Sequence, residues 1–213
     1  MIRNDLNYMM YDIDISPYNL YFIADMHFCH KRIDELVPRE RDWINKLIYN
    51  WNNTVYPNDV VIIVGDACLD IQKYKCCQRY IQSLNGVKIL IRGNHDRFEK
   101  GKLLDNGYFM VVPHLLLRVK TNKGSYNIFI HHEPLEKKDF EKIKMSYNRH
   151  IHIHIHGHTH LNTPFVYKKY GIPFFNVSCE VLDYTPVHVG TIIYIAKQME
   201  EQTLELKTIN DIL

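Results

Sequence analysis

The chain has 213 residues, 46% of them hydrophobic and 12% aromatic, with a formal net charge of +2. That length suits one packed domain or two small ones, and the apolar content excludes a disordered chain. The near-neutral balance demands no nucleic-acid partner, and apolar runs such as Val60–Val64 are far too short to span a bilayer.

Met1 to Tyr18 carries Arg3, Asp5, Asp12 and Asp14, lacks an apolar signal core, and reads as an N-terminal extension. Asn19–Ala24 is a short apolar run ending at Asp25 and predicts a buried strand. Trp43, Ile44, Leu47, Ile48 and Trp51 recur at helical spacing after Pro38. A turn at Asn58-Asp59 precedes the β-branched run Val60–Val64, a second strand. Ile71, Tyr74, Ile81 and Leu84 fit one face of a second helix, which Asn85-Gly86 ends, and Val87–Ile91 is a third strand. This alternation predicts a parallel sheet with right-handed crossovers.

The second half changes character. Met110–Lys120 and Ser125–Ile130 flank Thr121-Asn122-Lys123-Gly124, a hairpin signal. Ile151–His156 alternates Ile and His and predicts a strand, as do Phe174–Val177 and Thr191–Ala196. From Lys197 the chain is a charged tail. The expectation is one mixed α/β domain over 1–213 containing two sheets, with 1–18 as extension and 197–213 as tail.

Five cysteines, an odd number with no CxxC pair, predict reduced thiols in a cytoplasmic protein, with Cys29 a packing residue rather than a nucleophile. Histidine is unusually frequent at thirteen, and six lie in His150–His160. The alternating His150, His152, His154 and His156 read as a partly exposed strand face rather than an extra metal site.

The polar residues fall at strand ends: Asp25-Met26-His27, Gly65-Asp66, Gly93-Asn94-His95-Asp96, His131-His132-Glu133-Pro134 and Gly157-His158-Thr159-His160. In open α/β sheets that edge is where sites form. Each piece alone has an ordinary reading as a turn or a cap. Their joint occurrence does not. Carboxylate, imidazole and amide oxygen are the donors two divalent ions need to clamp an in-line displacement at phosphorus. Only one of the adjacent His131 and His132 can face the ions, because side chains alternate along a strand.

These five blocks resemble the signature of the calcineurin-like metallophosphoesterases, in particular small uncapped bacterial and phage members. Further similarity lies at His27-Phe28-Cys29-His30, Trp51-Asn52, Asn58-Asp59, Asn176-Val177-Ser178 and Pro186-Val187. The resemblance implies a four-layer fold of two mixed sheets flanked by helices. It implies a first metal on Asp25, His27 and His160, a second on Asn94, His132 and His158, and Asp66 as the bridge. The family spacing His-x-Pro selects His132 over His131. His95 is expected to contact the phosphate or protonate the leaving oxygen, with Asp96 orienting it or capping a turn.

The implied cofactors are two divalent metal ions, manganese first, with iron, zinc or nickel also suited. The implied reaction is attack of a metal-bridging hydroxide on a small or nucleotide-type phosphodiester. A phosphomonoesterase or nuclease of the same superfamily is the alternative, and a non-catalytic metal-binding scaffold the remote one. Protein Ser/Thr phosphatases of the superfamily carry Glu where Asp96 stands and Asp-Arg-Gly where Ala67-Cys68-Leu69-Asp70 stands, which argues against that activity. His30 and Arg32 follow the first ligands and are candidate substrate contacts. The Lys-rich stretch Glu136–Arg149 reads as a solvated face. The expected partner is a phosphoester, nucleotides included, with no membrane and no dedicated nucleic-acid-binding domain.

Overall fold

A computed structural model of the protein describes residues 19–68, 74–97, 107–122, 124–147 and 150–201. The predicted strands β1 (Leu20–Ile23), β2 (Val60–Ile63) and β3 (Val87–Ile91) form and pair in parallel. Helix α1 (Ile33–Leu36) is a single turn, and α2 (Trp43–Thr54) buries Trp43, Leu47 and Trp51, one residue per turn of the apolar stripe. Helix α3 (Tyr74–Ser83) follows, with Ile81 buried; Ile71, expected on the same face, lies outside the described residues. Buried Lys88 donates to the carbonyls of Leu84 and Gly86, so one ammonium satisfies acceptors left where α3 ends.

The stretch Met110–Lys120 is not one strand. Tyr108–Val112 (β4) pairs with β3, whereas His114–Thr121 (β5) pairs with Gly124–His131 (β6) in a second sheet. Pro113 stands at the break, and a residue without an N–H cannot carry the ladder through. The chain uses it to change sheets. The expected hairpin between β5 and β6 is present.

Helix α4 (Lys137–Tyr147) buries Phe140 and Ile143 while its lysines face solvent, the solvated face expected for this stretch. Then come β7 (Ile153–His156), β8 (Val166–Lys169), β9 (Ile172–Asn176) and the short β10 (Val187–His188). The strand expected at Thr191–Ala196 is instead part of helix α5 (Val189–Glu200), which takes in the start of the expected tail. Its buried residues are Val189, Ile192, Ile195, Ala196 and Met199, spaced by three and four. Burial of that stripe outweighs the weak β preference of the Thr-Ile-Ile run.

The two sheets are mixed and five-stranded, in the orders β10-β1-β2-β3-β4 and β5-β6-β7-β9-β8. One large apolar cluster unites β1, β2 and β3 with α2, α3, α5 and residues of the second sheet. A smaller cluster packs α4 against Leu116, Phe129 and Phe174. The sheets meet where their parallel strands end: Ala24 donates to Val177 O at 2.7 Å and bridges Ser178. No helix among the described residues is long and apolar enough to cross a membrane.

The histidine strand is corrected in part. His150 is exposed and His152 half-buried, but His154 and His156 are both 0% exposed. His154 lies against Phe174 and Phe129 and accepts from Leu135 N, and burial holds its pKa well below the usual histidine value. His156 bonds Tyr167 Oη and Gly157 O. Both are neutral core residues.

Cys29 and Cys76 form a disulfide, against the expectation of five free thiols; Cys68, Cys77 and Cys179 are free and buried. The partners are 47 residues apart in sequence, and only the packing of α3 beside the loop after β1 brings them together.

Candidate metal centre

Five strand ends of two sheets deliver side chains to one place. Asp25, His27 and His160 form one group able to hold a metal ion, and Asp66, His132 and His158 form another. Asn94 joins the second, its Oδ1 lying 3.1 Å from both His132 Nε2 and His158 Nδ1. A single oxygen, Asp66 Oδ2, stands 3.7 Å from His27 Nε2 and 3.2 Å from His132 Nε2, between the two groups. Asp66 Oδ1 is occupied, accepting from His95 N at 2.8 Å.

The remaining atoms are oriented as inward-facing donors. Asp25 Oδ2 accepts from Ser178 Oγ and from His158 N, leaving Oδ1 free to turn inward. His132 Nδ1 is held by Val64 O, so Nε2 is its available nitrogen. Asp25 Oδ1 and both ring nitrogens of His27 are buried with no hydrogen-bond partner among the described residues. Buried polar atoms are normally paired, and a cation is the partner this donor set suits. The residues therefore fit two divalent ions.

The backbone is bent to achieve this. Asp25, His27, Asp66, His158 and His160 all have positive φ, between 47° and 68°. Each such residue costs about 1–3 kcal/mol, a strain that clusters at functional sites. Two glycines allow the close approach: a Cβ on Gly93 would lie 2.1 Å from Asp66 Oδ1, and one on Gly157 would lie 2.5 Å from Asp25 Oδ2.

Charge follows from burial and pairing. Burial opposes ionisation of Asp66, but the hydrogen bond and charge of His132 outweigh it and hold the carboxyl at about 2. Burial likewise disfavours charged His132, yet the Asp66 bond and the charges of Asp25 and Asp66 raise it to about 9. His27 is pushed down to about 3, chiefly by burial. Burial raises Asp25.

His131 bonds Glu133 O and sits on the other side of β6 from His132. His95, with a side chain 34% exposed, lies beside the groups, its Nε2 4.0 Å from Asp66 Oδ2 and its ring 5.3 Å from that of His27. Asp96 does not orient it. The Asp96 carboxylate is buried and accepts from the backbone N–H of Asp66, Ala67, Cys68 and Gly93, pinning the loop that carries Asp66. Burial, then the charge of Asp66, raises its pKa to about 6. Of the two candidate substrate contacts, His30 lies 5.8 Å from His27 between ring centroids. Arg32 turns to solvent and pairs with Glu35 one helical turn away.

Sequence reasoning missed a buried support. Glu180 accepts from His160 Nδ1 at 3.1 Å and from Arg39 Nε at 2.7 Å. Arg39 also donates to Asp25 O and Met26 O and lies over the Trp43 ring. With Nδ1 fixed on Glu180, His160 has Nε2 left for an ion. Asn176, 0% exposed, donates to His160 O while its Oδ1 accepts from Ser178 N at 3.1 Å. The Asn176-Val177-Ser178 similarity was visible in sequence without its role, whereas nothing in the sequence marked Arg39 or Glu180.

The family model for calcineurin-like phosphoesterases matches residues 18–118. An uncharacterized protein of Methanocaldococcus jannaschii is 32% identical over 205 residues, which is 93% of this chain and 100% of that one. Among solved structures, a protein of unknown function from Aquifex aeolicus superposes with a TM-score of 0.64 at 22% identity, covering 83% of this chain and 98% of that one. An archaeal phosphodiesterase gives a looser likeness, TM-score 0.47 at 20% identity, covering 76% and 84%.

Proposed function

Because the chain belongs to the calcineurin-like phosphoesterase family, we propose that it is a dinuclear metal-dependent phosphoester hydrolase acting on a small or nucleotide-type phosphodiester. Asp25, His27 and His160 would hold one ion, and Asn94, His132 and His158 the other. Asp66, which stands between the two groups, would be shared by both ions. Manganese is the first ion to test. The observation that carries this reading is the position of that one carboxylate oxygen within 4 Å of an imidazole nitrogen from each group. When bound, the two ions supply charge neutralisation at phosphorus and a water acidic enough to ionise near pH 7.

The chain's own residues do the rest. His95 sits beside both groups and is partly open to solvent, so it can reach a substrate. It hydrogen-bonds a phosphoryl oxygen or gives its proton to the departing oxygen. Asp96 and Glu180 hold the Asp66 loop and the His160 ring so that the donors need not reorganise.

The test is a phosphoester panel with mono- and diesters, cyclic nucleotides and single-stranded nucleic acid. It is run on metal-stripped protein with Mn, Fe, Zn and Ni restored in turn. Turnover of a diester with at least one metal is expected. No turnover of any ester with any metal would overturn the proposal.

A further inference from the structure

A cavity of about 330 Å³ borders the metal-binding groups, and its lining includes His27, His30, Ile33, Trp43, Ile44 and Tyr80. His27 is common to the first metal-binding group and to this lining, and its ring also meets those of His95 and His30. A ligand with its phosphoryl group among the donors can therefore run one arm past His27 into the cavity.

The lining favours an apolar arm. Ile33 and Trp43 are 4% and 5% exposed, and the Cys29–Cys76 disulfide adds a further uncharged surface. The polar edge of Trp43 is already used, since Nε1 donates to Asp34 Oδ1 at 3.0 Å. Among the described lining residues Asp34 is the only carboxylate, and that bond takes one of its two oxygens. Lys31 and His30 supply cationic or hydrogen-bonding groups suited to an anionic ester. The volume is at the lower end for small-molecule sites, enough for a ring system and too little for a peptide or a nucleic-acid strand.

We propose that this cavity takes one ester arm of the substrate and selects an apolar ring over a group as small as methyl. The inference rests on the phosphoesterase reading and adds a substrate class to it. Burying one ring against such walls is expected to favour it by about 10- to 100-fold over a methyl group.

Phosphonates test this without leaving-group chemistry. Phenylphosphonate and methylphosphonate are titrated calorimetrically into the manganese-loaded full chain, for the wild type and for Ile44→Trp, which fills the cavity. The wild type is expected to bind the phenyl compound 10- to 100-fold more tightly. The variant is expected to lose that preference while keeping methylphosphonate affinity within about threefold. A wild-type ratio near one overturns the inference, as does a ratio that survives Ile44→Trp. If that variant binds neither compound, Ile44→Ser replaces it, and an undiminished phenyl preference there counts against the cavity. Failure of both phosphonates to bind, with no ester hydrolysed under any metal, would instead sink the phosphoesterase reading itself.

Discussion

Glu180→Gln separates the support of the metal centre from its ligands. The Glu180 side chain is 2% exposed and that of Arg39 is 0% exposed. The substitution leaves a buried guanidinium without its counter-charge, though the carbonyls of Asp25 and Met26 still accept from it at 2.7 and 3.0 Å. Breaking a buried pair costs about 3–5 kcal/mol, and because the amide keeps one acceptor oxygen the lower end applies, about 3 kcal/mol. The same change removes the anion that fixes His160 Nδ1. Supporting carboxylates of this kind are worth about 10- to 100-fold in metal affinity, or about 1.4–2.7 kcal/mol. The assay pairs thermal unfolding of metal-free protein with a calorimetric manganese titration. Arg39→Met combined with Glu180→Met is the control, since removing both charges restores much of the stability but not the orientation of His160. Two manganese ions bound to Glu180→Gln with wild-type affinity would refute the reasoning.

Other outcomes follow from the same geometry. His95→Ala is expected to lower kcat by about 10²–10⁴ with metal content unchanged, measured on purified protein by turnover and elemental analysis. Gly157→Ala forces a Cβ to 2.5 Å from both Asp25 Oδ2 and Ala24 Cβ, and should lower the thermal midpoint and weaken manganese binding. His132, raised to about 9, is protonated at pH 7 in the metal-free protein, so metal binding should release about one proton from it. Calorimetry in two buffers of different ionisation enthalpy reads that release, and affinity should rise with pH up to about 9. The Asp66–His132 pair also sets a window for metal-free stability. Asp66 is depressed to about 2, so its contribution is full above the ordinary carboxylate range and is lost as pH falls through about 2. The His132 contribution is full below the ordinary histidine value and is lost as pH rises through about 9. Denaturant unfolding across pH is the check.

The parallel core of the first sheet was legible because β1, β2 and β3 are short apolar runs, each stopped by a ligand-bearing turn, whereas β4 and β10 were not foreseen as its edge strands. Chain-local pattern carries that information. What stayed hidden depends on contacts between distant segments. Thr191–Ala196 looks like a strand until the stripe from Val189 to Met199 is packed against the sheets. His154 and His156 alternate with isoleucine as a surface strand would, but α4 and β8 cover that face. Cys29 and Cys76, or Arg39 and Glu180, are unremarkable where they stand in the sequence, and only the fold makes them partners. The candidate ligands read easily for the opposite reason. Metal chemistry restricts the residue types, and the turn geometry restricts their neighbours, so both are written locally. Arg32 shows the limit of adjacency, since one residue of α1's entry turn carries it away to Glu35.

The central claim is that two ions, shared across Asp66, make this chain a phosphoester hydrolase. The most direct measurement is hydrolysis of bis(p-nitrophenyl) phosphate by metal-stripped wild-type protein and by Asp66→Asn as manganese is added stepwise. The account requires wild-type activity to appear as the second equivalent binds, with Asp66→Asn folded but failing to gain it. Full activity at one equivalent, or wild-type turnover in Asp66→Asn, would contradict it.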